Sequence, residues 1–198
     1  LSHAEGVAHL LVACPKVDGL VNNLGIYSAS DFETTPDAEW LRFFETNVLS
    51  GVRLARHYLP QMKAQNWGRI VFVSSESALN APAEMVHYGM TKAAQLSVAR
   101  GLAQTTAGSG VTVNSVLPGP TRSEGVGTFF AELAAAQGVS LAEAEQAFFA
   151  HARPTSLLKR FIEPAEVAAL VAYVCSPRSA ATNGAALRVD GGIVNSMA

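Results

Sequence analysis

Tyr88 and Lys92 are the two residues whose types and spacing point most directly to chemistry. On a helix, a tyrosine four residues before a lysine shares a face with it, so the ammonium lies near the phenol and favours the phenolate. Such a tyrosine can exchange a proton with an alcohol or carbonyl oxygen near neutral pH. A Y-x-x-x-K pair arises readily by chance, so its surroundings decide what it means. Thirteen residues before Tyr88 stands Ser75, at the end of an apolar run. A hydroxyl there sits at the carboxyl edge of a sheet, and the following loop, residues 76–87, returns the chain to Tyr88. His3, His9, His57, His87 and His151 have no i, i+4 pairing and no carboxylate cluster beside them, so metal chemistry is not expected. His87 adjoins Tyr88 but points about 100° away from it on a helix, which suits a surface or substrate-loop position. Glu84 and Met85 are candidates to line a substrate pocket, and equally a turn residue and a core plug.

Short β-branched runs at 17–21, 69–74, 111–116 and 186–189 are the strand candidates. Ile70-Val71-Phe72-Val73 is apolar without alternation, as a strand covered on both faces must be, and that predicts a parallel sheet. Helical patterns between the strands complete an α/β doubly wound, Rossmann-like order. Trp40, Phe44, Val48, Val52, Ala55, Leu59 and Met62 recur three or four residues apart, predicting one long helix with a single apolar stripe, and Gly68 closes the connection to the next strand. A second helix is predicted over 88–103, ended by the small residues and glycines of 105–110. Residues 123–155 break the alternation with two short helical patterns, the second opening on Ser140 and Glu143 in capping-box spacing. An insertion at this place is a candidate lid over a site, or a helical hairpin that packs on a partner subunit.

A chain of 198 residues, 49% hydrophobic, can bury one sizeable core, so residues 1–198 are read as a single domain. Its formal charge of −2 is spread along the chain, and no basic face for nucleic acid or anionic lipid stands out. Cys14 and Cys175 lie far apart without a ligand pattern and read as buried small apolar residues; that usage suits a reducing cytosol, and a cytoplasmic location is the expectation. The longest apolar stretch, 167–175, is far shorter than a membrane span.

With Ser75, Tyr88 and Lys92, four further pieces fall in a fixed order: Asn22-Asn23-Leu24-Gly25 after a strand, Asn47 in the long helix, Pro118-Gly119-Pro120-Thr121 after the third strand, and Val189-Asp190-Gly191-Gly192 near the end. Taken singly, Ser75 is a strand-end cap, Lys92 a surface ion, Tyr88 a half-buried aromatic, Asn47 a helix-kink residue and Pro118-Gly119 a plain turn. Taken together, and over essentially the whole chain, they resemble the classical short-chain dehydrogenase/reductase family. The resemblance implies an oxidoreductase transferring hydride between NAD or NADP and a secondary alcohol or ketone. Tyr88 would be the general acid/base, Ser75 would hold the reacting oxygen, and Lys92 would lower the Tyr88 pKa and bond the nicotinamide ribose. Asn47 would position a water linking Lys92 to solvent. Asn23, Gly25, Pro118, Gly119, Thr121 and Ser123 would join Tyr88 and Lys92 in contacting the cofactor. The family usually has alanine where Leu24 stands, and often threonine where Ser123 stands. A homodimer or homotetramer, formed through the helices of 40–62 and 88–103, is implied by the same likeness. Substrate choice would rest with 123–155 and 76–87, whose apolar content hints at a hydrophobic substrate.

The family's glycine-rich T-G-x-x-x-G-x-G turn, which receives the cofactor pyrophosphate, has no counterpart in the sequence. Alignment of the motifs puts Leu1 just after the third strand of the family fold, so the domain is expected to be incomplete at its N-terminus. The chain by itself would then bind nicotinamide weakly. Two alternatives follow from that feature: a truncated relative with a non-catalytic interaction role, and a cofactor-independent lyase similar to the halohydrin dehalogenases. Those carry arginine where Lys92 stands, so Lys92, with Asn47 and 118–121, favours the oxidoreductase.

Overall fold

In a computed structural model, which describes residues 1–197, four parallel strands form one sheet in the order β1-β2-β3-β4: β1 (Gly19–Asn22), β2 (Gly68–Val73), β3 (Val111–Pro118) and β4 (Ala186–Val189). Registers such as Leu20 beside Ile70, Ile70 beside Val113 and Val116 beside Leu187 bring all four carboxyl ends to one edge. β2 and β3 are buried almost throughout, as their unbroken apolar runs require. Within β2 the side chains alternate between two layers. Ile70 and Phe72 join a core with Val7, Leu54, Tyr58, Met62 and Ala99, contributed by α1 (Ala4–Ala13), α3 (Ser50–Ala64) and α4 (Val86–Thr105). Val71 turns the other way, with Val116, onto Val174 of α7 (Pro164–Cys175). The doubly wound three-layer arrangement expected from the sequence is therefore present.

The helix expected over 40–62 is broken in kind rather than in direction. α2 (Asp37–Phe44) passes into a π turn, Glu45–Leu49, before α3 resumes. The π turn inserts a residue into the helical repeat, and Asn47 sits at its centre, buried to 1% exposure. The connection closes at Gly68, where β2 begins. The helix expected over 88–103 extends to Val86–Thr105.

Residues 123–155 fold as two helices, α5 (Glu124–Gln137) and α6 (Leu141–His151), and α6 opens on the expected capping box of Ser140 and Glu143. They have a core of their own, in which Phe130, Phe148, Phe149 and Phe161 meet with ring centroids 5.0 to 5.4 Å apart. Arg122 ties this unit to the sheet: its guanidinium bonds both carboxylate oxygens of Glu145 and reaches Glu163 at 3.2 Å. Cys14 and Cys175 are half-buried rather than buried. No helix among the described residues is long and apolar enough to cross a membrane.

Candidate functional site

Because the sheet is parallel, each strand delivers its following loop to the same edge. Asn23 to Gly25 follow β1, Ser75 and Glu76 follow β2, Gly119 to Thr121 follow β3, and Asp190 to Gly192 follow β4. Ser75 caps a short 3-10 turn, Glu76–Ala78: its Oγ accepts the Ser77 amide at 3.1 Å and donates to Glu76 Oε2. The neighbouring Ser74 Oγ donates to the Lys92 carbonyl at 2.8 Å, fixing α4 against the end of β2.

Tyr88 and Lys92 share a face of α4, with the Lys92 Nζ 5.5 Å from the Tyr88 ring centroid. Lys92 is 6% exposed and donates to the Val73 carbonyl at 3.0 Å. Burial pulls its ammonium down to about 8, opposed by the charge of Glu76. Burial likewise pushes the Tyr88 phenol up to about 12; a hydrogen bond with Ser75 pulls the other way, and Glu76 and Tyr27 add to the rise. The protein alone thus does not produce the lowered tyrosine pKa expected from the Y-x-x-x-K spacing. Loss of water outweighs the Ser75 hydrogen bond, and Tyr88 stands as a neutral phenol, a proton donor in waiting.

Asn47 is held from three sides. Its amide accepts the Ile26 N–H at 2.8 Å and donates to the Ile26 carbonyl and to Thr91 Oγ1, each at 3.0 Å. Its own carbonyl accepts Gln95 Nε2 at 2.6 Å. Thr91 in turn donates to the Tyr88 carbonyl at 2.7 Å. The sequence reading missed Thr91 and Gln95. Their signal is the spacing Tyr88, Thr91, Lys92, Gln95, a polar stripe on a helix that is buried along that face.

After β3, Gly119 passes so close to the end of β4 that a Cβ would stand 2.6 Å from the Asp190 carbonyl oxygen, which restricts the position to glycine. Thr121 turns its hydroxyl back to the Gly119 carbonyl at 2.9 Å and bridges to Ile162. Ser123 caps α5 by accepting the Val126 N–H, a use of the hydroxyl that competes with any ligand contact there. His87 is a correction. It is 1% exposed and packs on Phe43 with centroids 4.2 Å apart, because α2 packs against α4. It is neither a surface nor a substrate-loop residue.

A cavity of about 540 Å³ lies beside Glu76, lined by the 80–84 loop, His151 to Thr155 and Ile193. Glu84 lines it, and Arg153 spans it, 3.9 Å from Glu76 and 3.5 Å from Glu84. Its wall therefore carries more charge than the apolar content of the flanking segments suggests.

Residues 2–194 match the family described as enoyl-(acyl carrier protein) reductase. The uncharacterized oxidoreductase YvaG of Bacillus subtilis is 48% identical over 197 residues, covering 100% of this chain and 75% of that protein. The D-beta-hydroxybutyrate dehydrogenase of Cupriavidus necator is 30% identical over 177 residues, 89% of this chain and 67% of that one. Among solved structures, L-sorbose reductase from Gluconobacter frateurii, in complex with NADPH and L-sorbose, superposes with a TM-score of 0.91 at 28% identity, covering 99% of this chain and 75% of that one.

Proposed function

As the chain belongs to the short-chain dehydrogenase/reductase family of oxidoreductases, we propose that it serves reversible hydride transfer between NAD(H) or NADP(H) and a secondary alcohol or ketone. The observation that carries the reading is the convergence of Ser75, Tyr88, Lys92 and Asn47 where the strands of one parallel sheet end. A proton-handling site of this kind needs an acid within reach of the reacting oxygen, a hydroxyl beside it and a cation to stabilise the conjugate base.

The donor set fits a nicotinamide nucleotide. Gly25 leaves bare backbone where a Cβ would stand 3.6 Å from both Asn47 Oδ1 and Lys92 Nζ. Lys92 spends one of its three N–H donors on Val73, and the others suit ribose hydroxyls. Asn23, Gly25 and the backbone of 118–121 would hold the nucleotide together with Tyr88 and Lys92. When bound, the nicotinamide supplies or accepts the hydride. In reduction Tyr88 gives its phenolic proton to the carbonyl oxygen and in oxidation takes it back, while Ser75 holds the same oxygen. The Lys92 charge stabilises the phenolate left behind, and Asn47, locked by Ile26, Thr91 and Gln95, keeps the helix start in register with Lys92. The helices 40–62 and 88–103 would serve a homodimer or homotetramer, which sedimentation of the purified protein tests.

The test of the mechanism is Tyr88→Phe in the purified protein. Turnover should fall by roughly 10²- to 10⁴-fold, the usual contribution of a positioned acid, with nicotinamide affinity nearly intact. Unchanged turnover overturns the mechanism.

A further inference from the structure

Glu76 is a carboxylic side chain in an unusual position. It follows Ser75 directly, is 6% exposed, and has one oxygen on the Ser75 hydroxyl and the other 3.9 Å from Arg153. A serine hydroxyl has one proton to give and two lone pairs to receive with. The Ser77 amide already occupies one lone pair. If Glu76 is a carboxylate, the single Ser75 proton goes to it, and Ser75 has none to offer a substrate oxygen. If Glu76 is a carboxylic acid, the bond reverses: its O–H fills the second lone pair of Ser75, and the Ser75 proton is released toward the Tyr88 hydroxyl, the side on which the substrate oxygen would bind.

We propose that Glu76 is a positioning residue that sets the direction of the Ser75 hydroxyl, so that Ser75 holds the substrate oxygen only while Glu76 is a protonated acid. The proposal rests on the reading of Ser75 as the group that holds that oxygen. No bond is made or broken in the switch; a hydrogen bond changes donor.

The groups that face Glu76 come from three elements. From its own turn, Ser75 and Ser77 donate to it or to its partner and favour the carboxylate. From α4, Lys92 is attracted to its charge and Tyr88 is disfavoured as a phenolate by it. From beyond the end of α6, Arg153 favours the carboxylate, but Arg153 is shared with Glu84 across the cavity that His151 also lines. Burial opposes all of these and is the largest influence, so the Glu76 carboxyl titrates above its ordinary range. Arg153 has a second effect. Its guanidinium, 3.9 Å from the far oxygen and not hydrogen-bonded to it, draws negative charge to that oxygen, which favours the proton on the oxygen facing Ser75.

That asymmetry makes Glu76→Gln the informative variant. With the amide oxygen drawn to Arg153, the NH₂ faces Ser75 as a permanent donor. In the wild-type protein, kcat for ketone reduction should fall about tenfold for each pH unit above the Glu76 midpoint. In E76Q that limb should be absent, so that one unit above the midpoint the variant exceeds the wild type by about tenfold relative to their acid-side ratio. Infrared difference spectra between acid and alkaline pH, taken without nicotinamide or substrate, read the same titration directly. A protonated-carboxyl stretch that disappears at the kcat midpoint and is missing in E76Q supports the proposal, with thermal melts showing the variant folded. A limb that persists in E76Q, or a carboxyl that titrates in the ordinary range, overturns the proposal while leaving the dehydrogenase reading intact. No turnover with any carbonyl or alcohol and either nicotinamide overturns both.

Discussion

Replacing Lys92 by methionine should make the protein more stable and inactive. Lys92 is almost fully enclosed, and burial takes its pKa from 10.5 to about 8. At about 1.4 kcal/mol per pH unit, this means that the folded state carries about 3 kcal/mol of cost for keeping the ammonium charged. Below pH 8 the lysine is protonated in both folded and unfolded chains, so the cost is present in full. Between about 8 and 10.5 the folded protein releases the proton while the unfolded chain keeps it, and stability rises with pH. Above that window the lysine is neutral in both states and the cost is gone. Methionine has nearly the same length and no charge, but it leaves the Val73 carbonyl without its 3.0 Å donor, worth about 1 kcal/mol. The expected gain for Lys92→Met near neutral pH is therefore about 2 kcal/mol. It should shrink to nothing, or to a small loss, near pH 10.5. Urea unfolding of both proteins across that range, without nicotinamide, measures the difference, and titrations common to the two cancel. A variant that is less stable at neutral pH, or a difference that does not change with pH, would refute the argument that Lys92 is a charge held at a loss. Turnover should be lost in the same variant, the usual exchange of stability for function.

Other substitutions address the frame around the site. Asn47→Ala removes both hydrogen bonds to the Ile26 backbone and one to Thr91, and should cost about 2 to 3 kcal/mol; hydrogen exchange at the Ile26 amide should accelerate, and an unchanged rate would contradict it. Gly119→Ala drives a methyl against the Asp190 carbonyl, and should cost about 1 to 3 kcal/mol in urea unfolding together with a loss of kcat. Phe161→Ala opens the aromatic cluster under α5 and α6, and should cost about 3 to 5 kcal/mol. Limited proteolysis should then cut within 123–155 before it cuts the sheet; nicking that begins elsewhere would show that 123–155 is not a separate packing unit.

The parts of the site that were readable in advance are those fixed by local spacing. Tyr88 and Lys92 share a helix face because four residues make about one turn. Ser75 falls at the strand end because the apolar run stops there, and Ser140 with Glu143 announces α6 by chemistry that needs only four residues. The π turn was not readable, since Trp40 to Met62 keeps an apolar stripe on either side of one inserted residue. The burial of His87 is not legible for a different reason: its neighbours Phe43 and Trp40 arrive from a remote helix. Glu76 stood in plain view after Ser75, but an acid among small residues reads as a loop residue until Arg153 and the sheet close around it.

The sequence by itself determined the parallel sheet and the order of its motifs, because apolar runs, helical period and capping act over a few neighbours; the four polar residues proposed for the site rest on the family resemblance those motifs carry. Only the tertiary structure decided the state those residues are in: a phenol raised to about 12, an ammonium lowered to about 8, a serine hydroxyl turned toward a buried acid. Protonation and hydrogen-bond direction depend on how much water is excluded and which charges come close through space, and both are set by segments that meet only when the chain has folded.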